Sequence, residues 1–165
     1  FAIIPDNIDL KSMDFFYCLD DSPNYQIFSN SISFVKKHFP KGTIKKKTVE
    51  CLKISEFFRL NNIIDIDYLT IDLEGMDYDV LLNLDLSKFN IKNISFEHLH
   101  LNLLQKLRII FKFAKYNYYF SGMGFDLKKS DWMFTKGKKS RKLITYLLPI
   151  TPRRIWKKYK ISNLI

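Results

Sequence analysis

Two short runs of this 165-residue chain gather groups able to hold or move a proton: Asp72-Leu73-Glu74-Gly75, and Phe96-Glu97-His98 with His100 two residues on. Carboxylates and an imidazole brought to one crevice could take the proton from a hydroxyl, or polarise it, so that the oxygen attacks an electrophilic carbon. Such a base needs a pKa brought toward the working pH by burial or neighbours. His98 starts nearest, at about 6.5 unperturbed, and a carboxylate crowded by a second acid also enters the range. The plainer readings stand beside these. Acids after a strand cap the next helix or favour its positive end, and an isolated histidine is commonly a packing group with a hydrogen bond. Spacing alone leaves both readings of Asp72, Glu74 and His98 open.

The elements that must position these residues can be read around them. Asp67 to Leu73 is rich in β-formers, ends in acids and reads as a buried central strand. Asp77 to Asp85 follows with Val80, Leu81 and Leu84 at helical spacing, and Ile91 to Phe96 forms a second strand. Strand, helix and strand in about thirty residues make a βαβ unit. Its parallel strands are expected to be neighbours, with any ligand beyond their carboxyl ends, where Asp72, Glu74, Glu97 and His98 stand. Leu99 to Lys115 is the strongest helix, with Leu103, Leu107, Ile110, Phe111 and Ala114 as its apolar stripe. Tyr116 to Phe120 and Trp132 to Thr135 fit an antiparallel hairpin at a sheet edge, joined by a loop from Ser121 to Asp131. Within that loop Gly122-Met123-Gly124 superficially resembles a phosphate loop, but no helix follows it.

Upstream, Met13, Phe15, Tyr17 and Leu19 alternate as in a strand, with Asp14 interrupting the opposite side. Asp20 to Asn30 reads as a polar loop and Ser31 to His38 as a short helix. Phe39 to Lys47 reads as an exposed crossing in which Lys45 to Lys47 are solvated, and Ser55 as the cap of a short helix reaching Asn61.

Composition narrows the classes. With 47% hydrophobic and 16% aromatic residues, the chain can bury a core. No stretch approaches the ~20 apolar residues of a membrane-spanning helix, and no secretory signal opens the chain. Cys18 and Cys51 read as reduced packing residues, which favours a reducing, cytoplasmic location. Two Cys and three His are too few for a thiolate zinc site, and Asp72, Glu74 and Glu97 lack a diagnostic spacing for Mg²⁺. The net charge of +10 is localised: residues 1–135 balance 17 basic with 17 acidic residues, and residues 136–165 carry ten basic residues and no acid. Nucleic-acid binding is thus no property of the body, and no specific nucleic-acid partner is expected.

The run Ile66 to Gly75, followed by Met76-Asp77-Tyr78-Asp79-Val80-Leu81, resembles the signature of FkbM-type methyltransferases, in which a strand ends in Asp-x-Glu-Gly and leads into a helix carrying Val-Leu. The likeness continues through Ile94-Ser95-Phe96-Glu97-His98 and Tyr116-Asn117-Tyr118, includes Val49 to Phe58 upstream, and spans roughly Met13 to Thr135. The resemblance implies an α/β fold with a Rossmann-like class I methyltransferase sheet. It also implies S-adenosylmethionine as methyl donor and O-methylation of a hydroxyl on a sugar, glycan or secondary metabolite. By position, Asp72 and Glu74 would be the characteristic polar residues of the acceptor side, with Glu97 next. The family's order begins part-way through, without a glycine-rich loop after a first strand. The chain therefore reads as an N-terminally truncated piece, 1–135, whose cofactor-binding residues are expected upstream of residue 1, and the piece alone is expected to be inactive.

Residues 136–165 read as a basic, aromatic-containing tail. It is expected to pack on the domain, lie peripherally on an anionic membrane surface, or make weak sequence-independent nucleic-acid contacts. Against the enzyme stands a second class, a non-catalytic binding or scaffold module derived from a methyltransferase.

Overall fold

The computed structural model describes residues 1–19, 27–73, 76–123 and 131–137. Its contacts divide the chain into two compact units, Phe1–Phe57 and Phe58–Ile165. The described residues form two four-stranded sheets, both mixed, where a single Rossmann-like sheet is expected from the sequence.

In the first unit the sheet has the order β1-β4-β2-β3, from β1 (Ala2–Ile4), β2 (Ser12–Cys18), β3 (Phe28–Ser29) and β4 (Ile44–Lys53). β1 runs parallel to β4, and β4 runs antiparallel to β2, with Met13 opposite Val49, Phe15 opposite Lys47 and Tyr17 opposite Lys45. The expected strand around Met13 to Tyr17 is therefore present. The expected crossing at Phe39 to Lys47 is not. Ile44 to Lys47 opens the longest of the described strands, because the alternating partner on β2 supplies ladder hydrogen bonds that a lysine run can join as well as any other residue. The run divides across the pleat: Lys46 reaches Asp14 at 2.9 Å, while Lys45 and Lys47 project from the other face. Asp14 also accepts from the Thr48 hydroxyl at 2.6 Å. That hydrogen bond first, and Lys46 second, hold its carboxyl below the usual range.

Helix α1 (Ile32–His38) starts where expected, capped by Ser31, whose hydroxyl accepts from the Phe34 amide. It covers one face of the sheet. The Ser31 amide donates to Ser29 Oγ, and buried Ser29 lies opposite Phe16 on the face that also carries Cys18. The turn after α1 closes on that face so tightly that a Cβ at Gly42 would run into Cys18 Sγ. Both cysteines are free.

Helix α2 (Ile54–Leu60) leads out of β4. Ser55 lies within it and does not cap it through its hydroxyl. The Ser55 amide and hydroxyl both donate to Asp6, at 3.0 and 2.5 Å, so an acid from the turn after β1 closes the helix start.

In the second unit the order is β5-β6-β8-β7, from β5 (Asp65–Ile71), β6 (Asn90–Glu97), β7 (Tyr118–Met123) and β8 (Asp131–Lys136). β5 and β6 are parallel neighbours joined through α3 (Asp77–Asn83), as the sequence predicts. β8 pairs antiparallel with both β6 and β7, giving the expected hairpin with β7 at the edge. Among the described strands β5 is the other edge and is largely exposed, which corrects its reading as a buried central strand.

Helix α4 (Leu103–Lys115) begins with a reciprocal capping box. The Asn102 side chain accepts from the Gln105 amide, and the Gln105 side chain accepts from the Asn102 amide. Its buried stripe is Ile109, Ile110 and Phe113, whereas Leu103 and Phe111 are exposed, a rotation from the expected stripe. The rings of the sheet decide the phase. Phe113 meets Phe134 edge-on at 4.8 Å and Phe96 at 6.1 Å. Phe96, Tyr118, Phe120, Trp132 and Phe134 complete a closed aromatic core, whose offset and edge-on pairs add to plain apolar burial. Tyr118 donates to the Ile91 carbonyl at 2.6 Å, and burial raises its phenol to about 12. Lys112 crosses from α4 to the end of α3, donating to the Leu81 and Leu82 carbonyls at 2.7 and 2.8 Å and to Leu84 as well. A cation thereby meets the carbonyls that a helix end leaves unsatisfied.

None of the described helices is long and apolar enough to cross a membrane.

Candidate functional site

The last pair of the parallel ladder is Ile71 with Phe96. One residue beyond it, on strands spaced about 4.8 Å apart, come Asp72 and Glu97. Asp72 is exposed, and Glu97 keeps 26% of its side chain in contact with solvent. Glu97 is also the cross-strand partner of Asp131, the half-buried first residue of β8. Glu97 and Asp131 are therefore paired across β6 and β8, and Asp72 follows directly on the last paired residue of the neighbouring β5. Directly opposite residues share a face of the sheet, so Glu97 and Asp131 project together. Asp131 escapes sequence reading because it follows a long loop and carries no motif. Only the antiparallel register brings it to Glu97, and the cue that remained was its place as the first residue before a strand-like run.

The strand-to-helix turn behind Asp72 is tied down from its far end. Asp77, buried at the start of α3, accepts from the Leu73 amide at 3.1 Å, and the Met76 amide donates to the Leu73 carbonyl at 3.3 Å. Asp77 thus combines a favourable position in the first turn of a helix with a clasp on the residue after Asp72. Glu74 and Gly75 lie between these anchors, outside the described residues.

Strand alternation separates the two histidine candidates. His98 is two residues from Phe96 and sits on the α4 side, its ring stacked on Trp132 at 4.5 Å. The Lys106 ammonium lies 5.6 Å from the centre of the same indole. His100, past the end of the strand, turns back so that Nε2 lies 3.2 Å from Glu97 Oε2. The imidazole that joins the carboxylates is therefore His100, and His98 packs behind them.

The Glu97 face is otherwise polar. Tyr68 donates to the Met133 sulfur at 3.6 Å, and Thr135 donates to the Asn93 side-chain oxygen at 2.8 Å. Ser95, two residues before Glu97, is buried. Such a surface can hold a hydroxyl-bearing molecule by hydrogen bonds while a carboxylate accepts a proton. The acids do not close on one point: among the described residues no three His, Cys, Asp or Glu side chains gather closely enough for a metal ion.

A nucleotide-like cofactor needs backbone amides presented by a glycine turn between a parallel strand and a helix. Of the described glycines, Gly42 sits after α1 against Cys18, Gly122 lies within β7, and Gly137 follows β8. None makes that turn, Gly75 between β5 and α3 lies outside the described residues, and no described residue is assigned to a donor cofactor.

No curated protein and no solved structure matches the chain. Residues 8–127 match the methyltransferase FkbM domain, more than half of the sequence and a stretch that contains both parallel strand ends, and the chain belongs to that methyltransferase family.

Proposed function

We propose that the chain carries the acceptor side of an S-adenosylmethionine-dependent O-methyltransferase acting on a hydroxyl of a small molecule or glycan. S-adenosylmethionine is the methyl donor generally used in this family, and no described residue is assigned to it. The observation that carries the reading is Glu97, paired with Asp131, beside Asp72 at the carboxyl end of the parallel strands β5 and β6, which lie within the family match at residues 8–127.

In this reading Glu97 accepts the acceptor hydroxyl's proton, and the oxygen would bond to the methyl carbon as the donor's sulfur–methyl bond breaks with its electron pair leaving on the sulfur. His100 at 3.2 Å orients the carboxylate, and Asp131 and Asp72 hold neighbouring hydroxyls. Glu74 belongs to the same acceptor group by its position in the signature, and His98 supports Glu97 from behind through its contact with Trp132. The location proposed is cytoplasmic, in keeping with two free thiols.

The test is calorimetric titration with S-adenosylmethionine of the protein expressed from its whole reading frame, followed by transfer of labelled methyl to a panel of sugars and polyols. Glu97→Gln should lower kcat by about 10²–10⁴-fold while the thermal midpoint stays put. Full activity in that variant overturns the assignment of the base. A non-catalytic module derived from a methyltransferase is the second reading. Acceptor binding without S-adenosylmethionine binding selects it.

A further inference from the structure

The alternating apolar residues of β2 and the lysine run of β4, separate features in the sequence, lie on one face of the first sheet. Phe15 and Tyr17 stand opposite Lys47 and Lys45, and Phe28 of β3 stands opposite Tyr17. Directly opposite residues project to the same side, so Phe15, Tyr17, Phe28, Lys45 and Lys47 share a face, with Met13 and Val49 continuing it. Helix α1 packs on the other side, against Ser29 and Cys18. Phe28 is 43% exposed, and Lys45 and Lys47 are exposed. The paired positions from Met13 to Tyr17 place no carboxylate on this face, because Asp14 points to the other side with Lys46.

We infer that this face is a docking surface for the headgroup region of a bilayer containing anionic lipid. Aromatic rings favour the membrane–water boundary, and each lysine close to an anionic leaflet adds attraction. Ring geometry separates this partner from single-stranded nucleic acid. Nucleic acid requires open ring faces on which bases stack, and a longer track of cations. Here Phe15 and Phe28 stack on one another, 5.1 Å apart and 11° from parallel, and Tyr17 leans on Phe28 at 5.6 Å. The rings engage each other's faces, and two lysines provide a short phosphate track. A lipid surface needs no particular ring face and receives apolar edges and ammonium groups together.

The test uses the full chain in every arm, so that residues 136–165 contribute equally throughout. Binding is measured by sedimentation with phosphatidylcholine vesicles, with and without phosphatidylserine. The intact chain should bind the phosphatidylserine vesicles far better. Lys45→Glu with Lys47→Glu should weaken that binding by at least about 25-fold, from about fivefold per lysine. Phe28→Ser should weaken it by about tenfold through lost apolar contact. Lys36→Glu with Lys37→Glu, on α1, should have much the smaller effect, and circular dichroism should report unchanged folding in all variants. Unchanged binding in the Lys45/Lys47 variant overturns the inference, as does an equal loss in the α1 variant or equal binding to phosphatidylcholine alone. Tighter binding of a labelled single-stranded oligonucleotide, lost on the same substitutions, overturns it in favour of nucleic acid.

Discussion

In the second sheet the large rings on the α4 side, from Phe96 through Trp132 to Phe134, are closed off from water, whereas in the first sheet Phe15, Tyr17 and Phe28 stack on a face that α1 leaves uncovered. Both sheets have four strands and both hold their rings in contact. The difference lies in what the contacts do. Burial of whole rings supplies the largest stabilising term available to a small domain, so the second unit has a rigid frame, and Glu97 and Asp131 ride on the ends of its central strands. Rings stacked at a surface give up little contact with water and remain available to a partner.

The sharpest way to break this comparison is to remove one ring from each sheet. Phe134→Ala should destabilise the protein by about 3–5 kcal/mol, as large-to-small changes in a closed core do, and Phe28→Ala by about 0.5–1 kcal/mol, the worth of one aromatic pair at a surface. Urea unfolding of each variant checks this, and equal losses would end the distinction. A middle effect is expected from Lys112→Met, which keeps the aliphatic stem but strands three carbonyls at the end of α3. The cost should be about 1–3 kcal/mol, read as a lower unfolding midpoint.

A further modest effect concerns Tyr118. Its phenol, raised to about 12 in the folded state by burial against ~10 in the unfolded chain, keeps its proton where the unfolded chain loses it. Stability from this group is complete below about pH 10 and falls as pH rises toward 12. Tyr118→Phe should cost about 1 kcal/mol at neutral pH through the lost bond to the Ile91 carbonyl, and should flatten the loss of thermal midpoint across that alkaline window. An unchanged alkaline slope would show that the ring is not held as described.

Much of the second unit was legible because its signals are local. The βαβ unit and the hairpin each declare themselves within a few residues by period or turn, whereas α4, expected from Leu99, starts only after its cap at Asn102. What was illegible depended on pairing at long range. Lys45 to Lys47 looked like a loop because a strand exposed on both faces has no apolar alternation of its own, and only β2 reveals it. The α4 sequence offers two overlapping apolar stripes, and the choice between them belongs to Phe96 and Phe134 on other strands. The candidate site divides the same way. Asp72 and Glu97 are marked by strand ends, but Asp131 is supplied by register, and the exchange of roles between His98 and His100 follows from the two-residue period of β6, which places His98 with Phe96. The Glu74-Gly75 pair and the basic tail beyond residue 137 lie outside the described residues.

The contact between Gly42 and Cys18 has a bearing on how this sequence can drift. Because a single added carbon at 42 would meet the sulfur at 18, the two positions share one allotment of volume although 24 residues of chain separate their numbers. Neither can enlarge alone: a side chain at 42 requires a smaller one at 18, and oxygen added to the thiol would need the same room. Among descendants of this chain the two sites should change as a pair or stay as they are.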